Sequence, residues 1–485
     1  MEKIEFFQRK TRKKYYIINK NLKMEENVVI ENLKIAYIGG GSKGWAWGLM
    51  ADLAKADDIS GDVALYDIDF KAAKDNEIIG NKFKELEDCK SVWNYKAYEN
   101  IGDALTGADF VVISIMPGTY DEMESDVHTP EKYGIYQSVG DTTGPGGIVR
   151  ALRTMPMFEE FALAIKEYCP NAWVINYTNP MAICVGTLYK TFPEIKAFGC
   201  CHEVFGTQNL LVQALEELEG VTGITRTDIK TNVLGVNHFT WITSAQYQKT
   251  DLYPVYKKFI EKHPDGIKNT NDDNWVNLPG RTKQLVKFDL FNRYGYIAAA
   301  GDRHLAEFSD KEWYLDSPER VDEYSFGLTS VSWRRVEHLA KRLEKAEKLL
   351  SGEEMPSLEG TDEEGVLQIR ALLGLHDFVT NVNIPNYGQI PNLPLGVIVE
   401  TNASFRANEL RPVFAGNIPD EIYSLVSRNA GEQTLVLEAG AEKNLNKAFK
   451  AFVANPLVDL SLNDAKALFD EMIDNTKEYL TAYGI

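Results

Sequence analysis

The sequence predicts an α/β chain in which a Rossmann-type doubly wound parallel sheet is followed by a mixed α+β substrate domain. Up to about residue 200, apolar strand-like runs alternate with helical stretches, the pattern of a parallel sheet. A glycine-rich turn, Gly39-Gly40-Gly41-Ser42-Lys43-Gly44, joins the first apolar run to the first helical one. Beyond residue 200 the alternation loosens into long helices and separate strands. The expected division is an N-terminal extension over 1–33, a dinucleotide-binding domain over 34–200, and a metal- and substrate-binding domain over 201–485.

The apolar run Leu33 to Ile38 reads as the first strand and Trp45 to Lys55 as the first helix. Between them Gly39, Gly41 and Gly44 fit G-x-G-x-x-G, which serves a tight turn, a close approach to pyrophosphate, and helix-on-strand packing. Ser42 and Lys43 complete the cradle, whose free N–H groups and helix dipole favour an anion. The second strand, Asp62 to Tyr66, ends in Asp67, 23 residues past Gly44. A carboxylate there takes both ribose hydroxyls and repels a 2′-phosphate, which favours NAD over NADP. A polar helix over Phe70–Asp88 and a short one over Ile101–Leu105 precede a buried strand over Phe110–Ile115. Ser114 stands at that strand's carboxyl end, where such sheets bind ligands, and joins the cofactor set. A helix over Thr154–Tyr168, a strand over Trp173–Asn176, a helix over Pro180–Lys190 and a strand over Lys196–Cys200 follow. They place Asn179 and Cys201 at strand ends as well. Later, Leu210–Glu219 reads as helix, Thr231–Leu234 as a strand delivering His238, and Val331–Leu350 as a periodic helix with a basic, solvated face.

At 485 residues, with 44% hydrophobic and 25% charged side chains, the chain can bury a large core in two domains. A net charge of −19 argues against nucleic acid or an anionic membrane as partner. The five cysteines are odd in number and lack a disulfide-framework spacing, which points to a reducing cytoplasm. No signal peptide or membrane-length apolar stretch is visible. The first 23 residues carry eight Lys or Arg against Glu2 and Glu5. This tail is expected to be disordered, or to arise from a start codon upstream of Met24.

Cys201-His202 and Gly235-Val236-Asn237-His238 offer a thiolate and an imidazole from two loops. Two protein ligands leave open positions, as a catalytic ion requires, and donors this soft suggest zinc or iron more than manganese.

Five segments, in order, resemble the family 4 glycoside hydrolases: the Gly-Gly-Gly-Ser turn, Asp141-Thr142-Thr143-Gly144-Pro145-Gly146-Gly147, Asn176-Tyr177-Thr178-Asn179-Pro180, Cys201-His202-Glu203-Val204, and Gly235-Val236-Asn237-His238-Phe239. The resemblance extends to Tyr294-Gly295-Tyr296, Asp302-Arg303-His304 and Asn392-Leu393-Pro394, and Cys-His-Glu-Val resembles the α-galacturonidase branch. This family departs from two-carboxylate glycoside cleavage by using NAD. The resemblance implies that NAD+ takes hydride from the sugar C3, a base removes the acidified C2 proton, the C1 group leaves, water adds, and NADH restores C3. It implies a divalent ion, usually manganese, on Cys201 and His238. It also implies a tyrosine as the C2 base, for which Tyr294 and Tyr296 are the candidates and Tyr296 the favoured one, with Asn179 and Asn237 contacting sugar hydroxyls. His202 stands where related branches carry an acid for the leaving group, and a histidine there leaves the role open between that acid and a metal or substrate contact. Glu203 is suited to reading a hydroxyl, and Arg303, with His304, to gripping a uronate carboxylate; Arg150 and Arg153 are rivals for that grip. A homodimer or homotetramer acting on a small glycoside follows from the same resemblance. Within the family an α-glucosidase or α-galactosidase is the alternative; a lactate- or malate-type dehydrogenase, with His238 as proton relay, is the competing enzyme class, and a non-catalytic NAD sensor the third reading.

Overall fold

The computed structural model describes residues 29–267, 282–361 and 363–485. Its main sheet has nine strands: β1 (Ile30–Ile38), β2 (Ile59–Tyr66), β3 (Trp93–Tyr98), β4 (Phe110–Ile113), β5 (Trp173–Asn176), β6 (Lys196–Gly199), and, from the far end of the chain, β11 (Phe378–Pro385), β12 (Ile398–Arg406) and β13 (Glu409–Pro412). The first six are parallel in the order β3-β2-β1-β4-β5-β6, the Rossmann arrangement with its switch point between β1 and β4. Helices cover both faces, so β4 is buried along its whole length and reads as an unbroken apolar run. A smaller sheet holds β7 (Ile229–Val236), β8 (Phe239–Tyr247), β9 (Thr250–Asp251) and β10 (Ile297–Ala298).

The expected α/β class is the observed one, and several boundaries move for identifiable reasons. The helix Trp45–Lys55 (α1) lies as expected. The helix after β2 (α2) covers Phe70–Lys82 and tightens into a 3-10 turn at Phe83–Glu85 instead of continuing to Asp88. The strand β3 and a helix over Tyr120–His128 (α3) were not anticipated; β3 alternates buried and exposed side chains at the sheet's edge, a weak signal amid polar residues. The long helix α4 spans Gly144–Tyr168, beginning inside the Gly-Pro-Gly-Gly segment that reads as a turn. Proline is tolerated in a first helical turn, and the glycines are needed for contact: a Cβ on Gly147 would stand 2.4 Å from the Thr142 carbonyl carbon. Helix α5 (Met181–Thr191) follows β5, and α6 (Glu203–Glu219) begins seven residues ahead of the expected Leu210, directly after His202. The expected helix from Val331 is continuous to Ser351 but contains a π turn over Arg334–His338.

Below the hairpin of the second sheet, Phe239 stacks on Phe308 with ring centroids 5.4 Å apart and meets Trp241 edge-on at 5.5 Å. All three are fully buried. At roughly 2 kcal/mol for each large apolar side chain removed from water, this cluster rivets β8 to the short helix Asp302–Glu307. It thereby fixes His238 and His304 relative to each other. The N-terminal extension expected over 1–33 lies outside the described residues as far as residue 28; Ile30 to Leu33 belong to β1.

Candidate active site and metal centre

At the carboxyl ends of β1 and β2 the glycine-rich turn is built so that side chains are excluded. Gly39 has φ +93°, and a Cβ there would stand 2.0 Å from the Ser114 carbonyl oxygen. A Cβ on Gly41 would stand 2.9 Å from Asp67 Oδ2, which accepts the Gly41 N–H at 2.9 Å. The other carboxylate oxygen accepts from Asp69 N at 2.9 Å. Asn76, which sequence reasoning missed, ties the turn together by donating to Gly40 O and Ser42 O at 2.8 and 3.0 Å. Ser42 N closes the turn onto Gly39 O at 3.0 Å, and the Lys43 carbonyl accepts from Arg342. Helix α1 has Gly44 as its N-cap and no side-chain cap, so its first N–H groups are not taken up by a capping side chain. A backbone cradle with an uncapped helix end and a carboxylate at its rim fits a dinucleotide.

Beyond β5 and β6, ligand atoms of Asp141, His238 and His304 lie within 4.8 Å of one another. His238 occupies the tip of the two-residue hairpin between β7 and β8, where Val236 pairs with Phe239. Its φ of +65° is uncommon for a residue with a Cβ, and strain of this kind, on the order of 1 kcal/mol, collects at functional sites. Thr142 Oγ1 sits 3.0 Å from His238 Nδ1 and donates to Asp141 Oδ1 at 2.7 Å, so one hydroxyl orients both groups. The His238 and His304 rings lie 3.7 Å apart. Glu203 backs His304, with Oε1 3.6 Å from Nε2, while its Oε2 accepts the Gly301 N–H at 2.7 Å.

Protonation suits a cation. Burial lowers the His238 pKa to about 3, reinforced by His304 beside it, so its ring is neutral at pH 7. Burial pushes the Asp141 carboxyl up, but Arg150 foremost, then the two histidines, outweigh it and hold it at about 2. Glu203 is likewise held at about 2, His304 leading the groups that overcome its burial. Around the cluster, Asn179 Oδ1, Asn237 Oδ1 and His304 Nδ1 are buried without a hydrogen-bond partner among the described residues. A carboxylate and a neutral imidazole within reach of one point, with orphaned polar atoms on His304 and on residues touching or adjoining the cluster, fit a divalent ion with a polyhydroxylated ligand.

The remaining sequence-derived residues fall as follows. Cys201 is buried directly after β6, its carbonyl accepting from Asn381 Nδ2 at 3.3 Å; it is not one of the three clustered ligands. Burial, then Glu400 and Glu203, push its thiol well above the ordinary range. His202 turns instead toward the dinucleotide turn: Nδ1 is 2.6 Å from Glu363 Oε1, and the ring is 6.4 Å from that of Trp45. Asn179 donates to Asp141 Oδ2 at 3.4 Å, and its carbonyl accepts from Arg150 Nε at 3.2 Å. Asn237 donates to Glu400 Oε2 at 3.1 Å. Arg303 is buried and donates to Ser138 O and, at 2.8 Å, to Thr329 Oγ1. Arg153 is spent on a fully buried ion pair with Asp126. Tyr296 packs on a buried apolar cluster that draws residues from both halves of the chain, and its phenol is raised by burial and then by Glu421 and Asp420. Besides Asn76, the missed residues are Asp141, Thr142, Glu307 and Glu400. Asp141 heads the turn-rich segment before α4, which was a usable signal; Glu400 lies inside β12, where nothing in the pattern marks it.

Comparison with known proteins sharpens the picture. The model of the family 4 glycosyl hydrolases matches residues 34–217, and that of their C-terminal domain matches residues 233–458. The chain is 60% identical over 457 residues to an α-galacturonidase of Thermoanaerobacterium saccharolyticum, covering 94% of this chain and 98% of that protein. The crystal structure of Bacillus subtilis LplD superposes with a TM-score of 0.85 at 47% identity, over 91% of this chain and all (100%) of that one. A 6-phospho-α-glucosidase from gut microorganisms, solved with NAD and Mn2+, shares the fold at a TM-score of 0.77 and 20% identity, over 92% and 99% of the two chains.

Proposed function

The chain belongs to the family 4 glycosyl hydrolases, and from that premise we propose that it is an NAD- and manganese-dependent α-galacturonidase. The observation that carries the proposal is a dinucleotide cradle at the carboxyl ends of β1 and β2 together with an Asp141-His238-His304 cluster that Asn179, just past the carboxyl end of β5, touches through Asp141. The galacturonide is favoured over a neutral hexoside by the name of the relative at 60% identity.

Bound NAD+ supplies a hydride acceptor for the sugar C3, and a bound divalent ion supplies Lewis acidity to the sugar oxygens. Gly39, Gly41, Ser42, Lys43, Gly44 and Ser114 form the cradle, and Asp67 takes the ribose hydroxyls. His238, with its ring neutral, and Asp141, ionised, would hold the ion with His304, and Cys201, outside that cluster, would join them only on losing its thiol proton. Asn179 and Asn237 have free amide oxygens for sugar hydroxyls. Ionised Glu203 fixes His304 and accepts a further hydroxyl. Arg303 supplies positive charge for the uronate. His202, with Glu363 behind it, is the proton donor assigned to the leaving group. For the C2 base the resemblance selects Tyr296. Burial, then Glu421 and Asp420, hold the phenol protonated, so Tyr296→Phe is the sharp test: it should abolish exchange of the C2 proton with deuterated solvent, and retained exchange would remove Tyr296 from the mechanism. Cytoplasmic location, supported by five free cysteines, and a homodimer or homotetramer complete the proposal. Among the described residues no helix is long and apolar enough to cross a membrane.

The primary experiment follows aglycone release and NADH absorbance with aryl α-galacturonide, α-galactoside and α-glucoside, with and without manganese and NAD+. Release from the galacturonide that requires both additions, without accumulation of NADH, is expected. Release from a neutral glycoside alone would refute the substrate, and stoichiometric NADH without release would point to a dehydrogenase.

A further inference from the structure

Glu400 is an acid in the interior of β12 and only 1% exposed. Burying a carboxyl is costly unless its oxygens are hydrogen-bonded, and here amides meet them. Asn237 Nδ2 donates to Oε2 at 3.1 Å, and Asn381 Nδ2 donates to Oε1 at 2.6 Å. Burial pushes the carboxyl up to about 7 while the amides, Asn237 foremost, work against it, so at pH 8 both oxygens act as acceptors.

The two amides lead to two of the segments described above. Asn237 precedes His238 at the tip of the β7–β8 hairpin. Asn381 also donates to the Cys201 carbonyl at 3.3 Å, beyond the end of β6. Two residues further along the same face of β12, Asn402 Nδ2 donates to Thr231 O at 2.6 Å, near the start of β7. The large sheet is thus stitched to both ends of β7 in the small one, and Glu400 is the stitch beside His238. An ionised carboxylate accepts and does not donate, so it decides which way the Asn237 amide turns, with Nδ2 toward Glu400 and Oδ1 away. That Oδ1 is buried without a partner among the described residues. Turned over, the same amide would offer a ligand N–H groups in place of an acceptor.

We infer that Glu400 is a positioning residue, which fixes Asn237 with its amide oxygen toward the ligand and steadies the Cys201 segment through Asn381. The inference deepens the galacturonidase reading and rests on its assignment of Asn237 to the sugar hydroxyls.

Glu400→Gln keeps the volume of the side chain but exchanges one acceptor oxygen for an NH2 group. One of the two asparagines must then turn over or lose its bond. Adding Asn237→Asp restores the pairing with the roles exchanged, because the new carboxylate accepts from that NH2 and keeps a second oxygen for the ligand. The test uses full-length protein with NAD+ and manganese at pH 8. In Glu400→Gln, kcat/KM on aryl α-galacturonide and the calorimetric affinity for manganese should each fall roughly 10- to 100-fold. The double variant Asn237→Asp/Glu400→Gln should recover most of both losses. On an Asn237→Ala background Glu400→Gln should cost less than about threefold, since the residue it acts through is gone. A full loss on that background, no recovery in the double variant, or a Glu400→Gln protein within about twofold of wild type overturns the inference. If wild type cleaves no galacturonide, the substrate reading fails by itself and the manganese series decides. Loss in Glu400→Gln with recovery in the double variant then supports the role of Glu400, and any other pattern overturns it.

Discussion

Replacing His238 by alanine is expected to lower kcat/KM on the galacturonide roughly a thousandfold, about 4 kcal/mol, and to abolish tight manganese binding. The substitution removes a neutral imidazole from a hairpin tip whose left-handed backbone, Thr142 bond and stacking on His304 serve to place that ring. Alanine at the same φ keeps the local strain and the aromatic cluster beneath, so thermal stability should change little. Manganese binding followed by calorimetry, with the kinetics, separates this from unfolding; unaltered metal affinity would remove His238 from the ligand set. The same titration decides the part of Cys201. Its thiol, pushed well above the ordinary range by burial and then by Glu400 and Glu203, must surrender a proton to become a ligand. If it does so, the logarithm of the manganese affinity of wild type rises between pH 6 and 8 by about one unit per pH unit more steeply than in Cys201→Ala. Parallel lines would leave the metal to Asp141, His238 and His304.

The second large effect is at Gly39. Alanine there meets two penalties at once: a φ of +93° outside the usual range of L residues, and a Cβ 2.0 Å from a backbone oxygen of Ser114 that cannot swing aside. A loss of roughly 3 kcal/mol of stability or more is expected, with dinucleotide binding undetectable in an NADH fluorescence titration. Gly107→Ala is the comparison, because Gly107 has φ +75° and open space where a Cβ would go. It should cost about 1 kcal/mol and leave NADH binding intact. Similar behaviour of the two variants would show that backbone conformation alone, and not the closeness of Ser114, makes the turn.

The nucleotide half was legible because its signals are local. A strand followed by Gly39-Gly40-Gly41 and an acid at Asp67 announce themselves within some thirty residues, and the observed helix Trp45–Lys55 and strand Trp173–Asn176 coincide with the expected ones. The metal cluster was half legible. His238 stood out beside its strand, whereas Asp141 comes to it across nearly a hundred residues through Thr142, a contact with no periodicity to betray it. Arg303 could be named but not placed. Its helix, Asp302–Glu307, is buried throughout, although four of its six residues are ionisable, which reads as surface until the partners Lys287, Ser138 and Glu203 are known.

The strand β11, from near residue 380, meets the open side of β6 through Asn383 and Gly199, and β12 and β13 extend the sheet from there. During synthesis, the nucleotide-binding half therefore leaves the ribosome with one flank of its sheet unpaired, and the strands that close it are translated some 180 residues later. A fragment cut after the first family segment inherits that open flank, a ready template for another chain. The two halves mature as one cooperative unit, and the cofactor half is not a detachable cassette for transplantation into another enzyme.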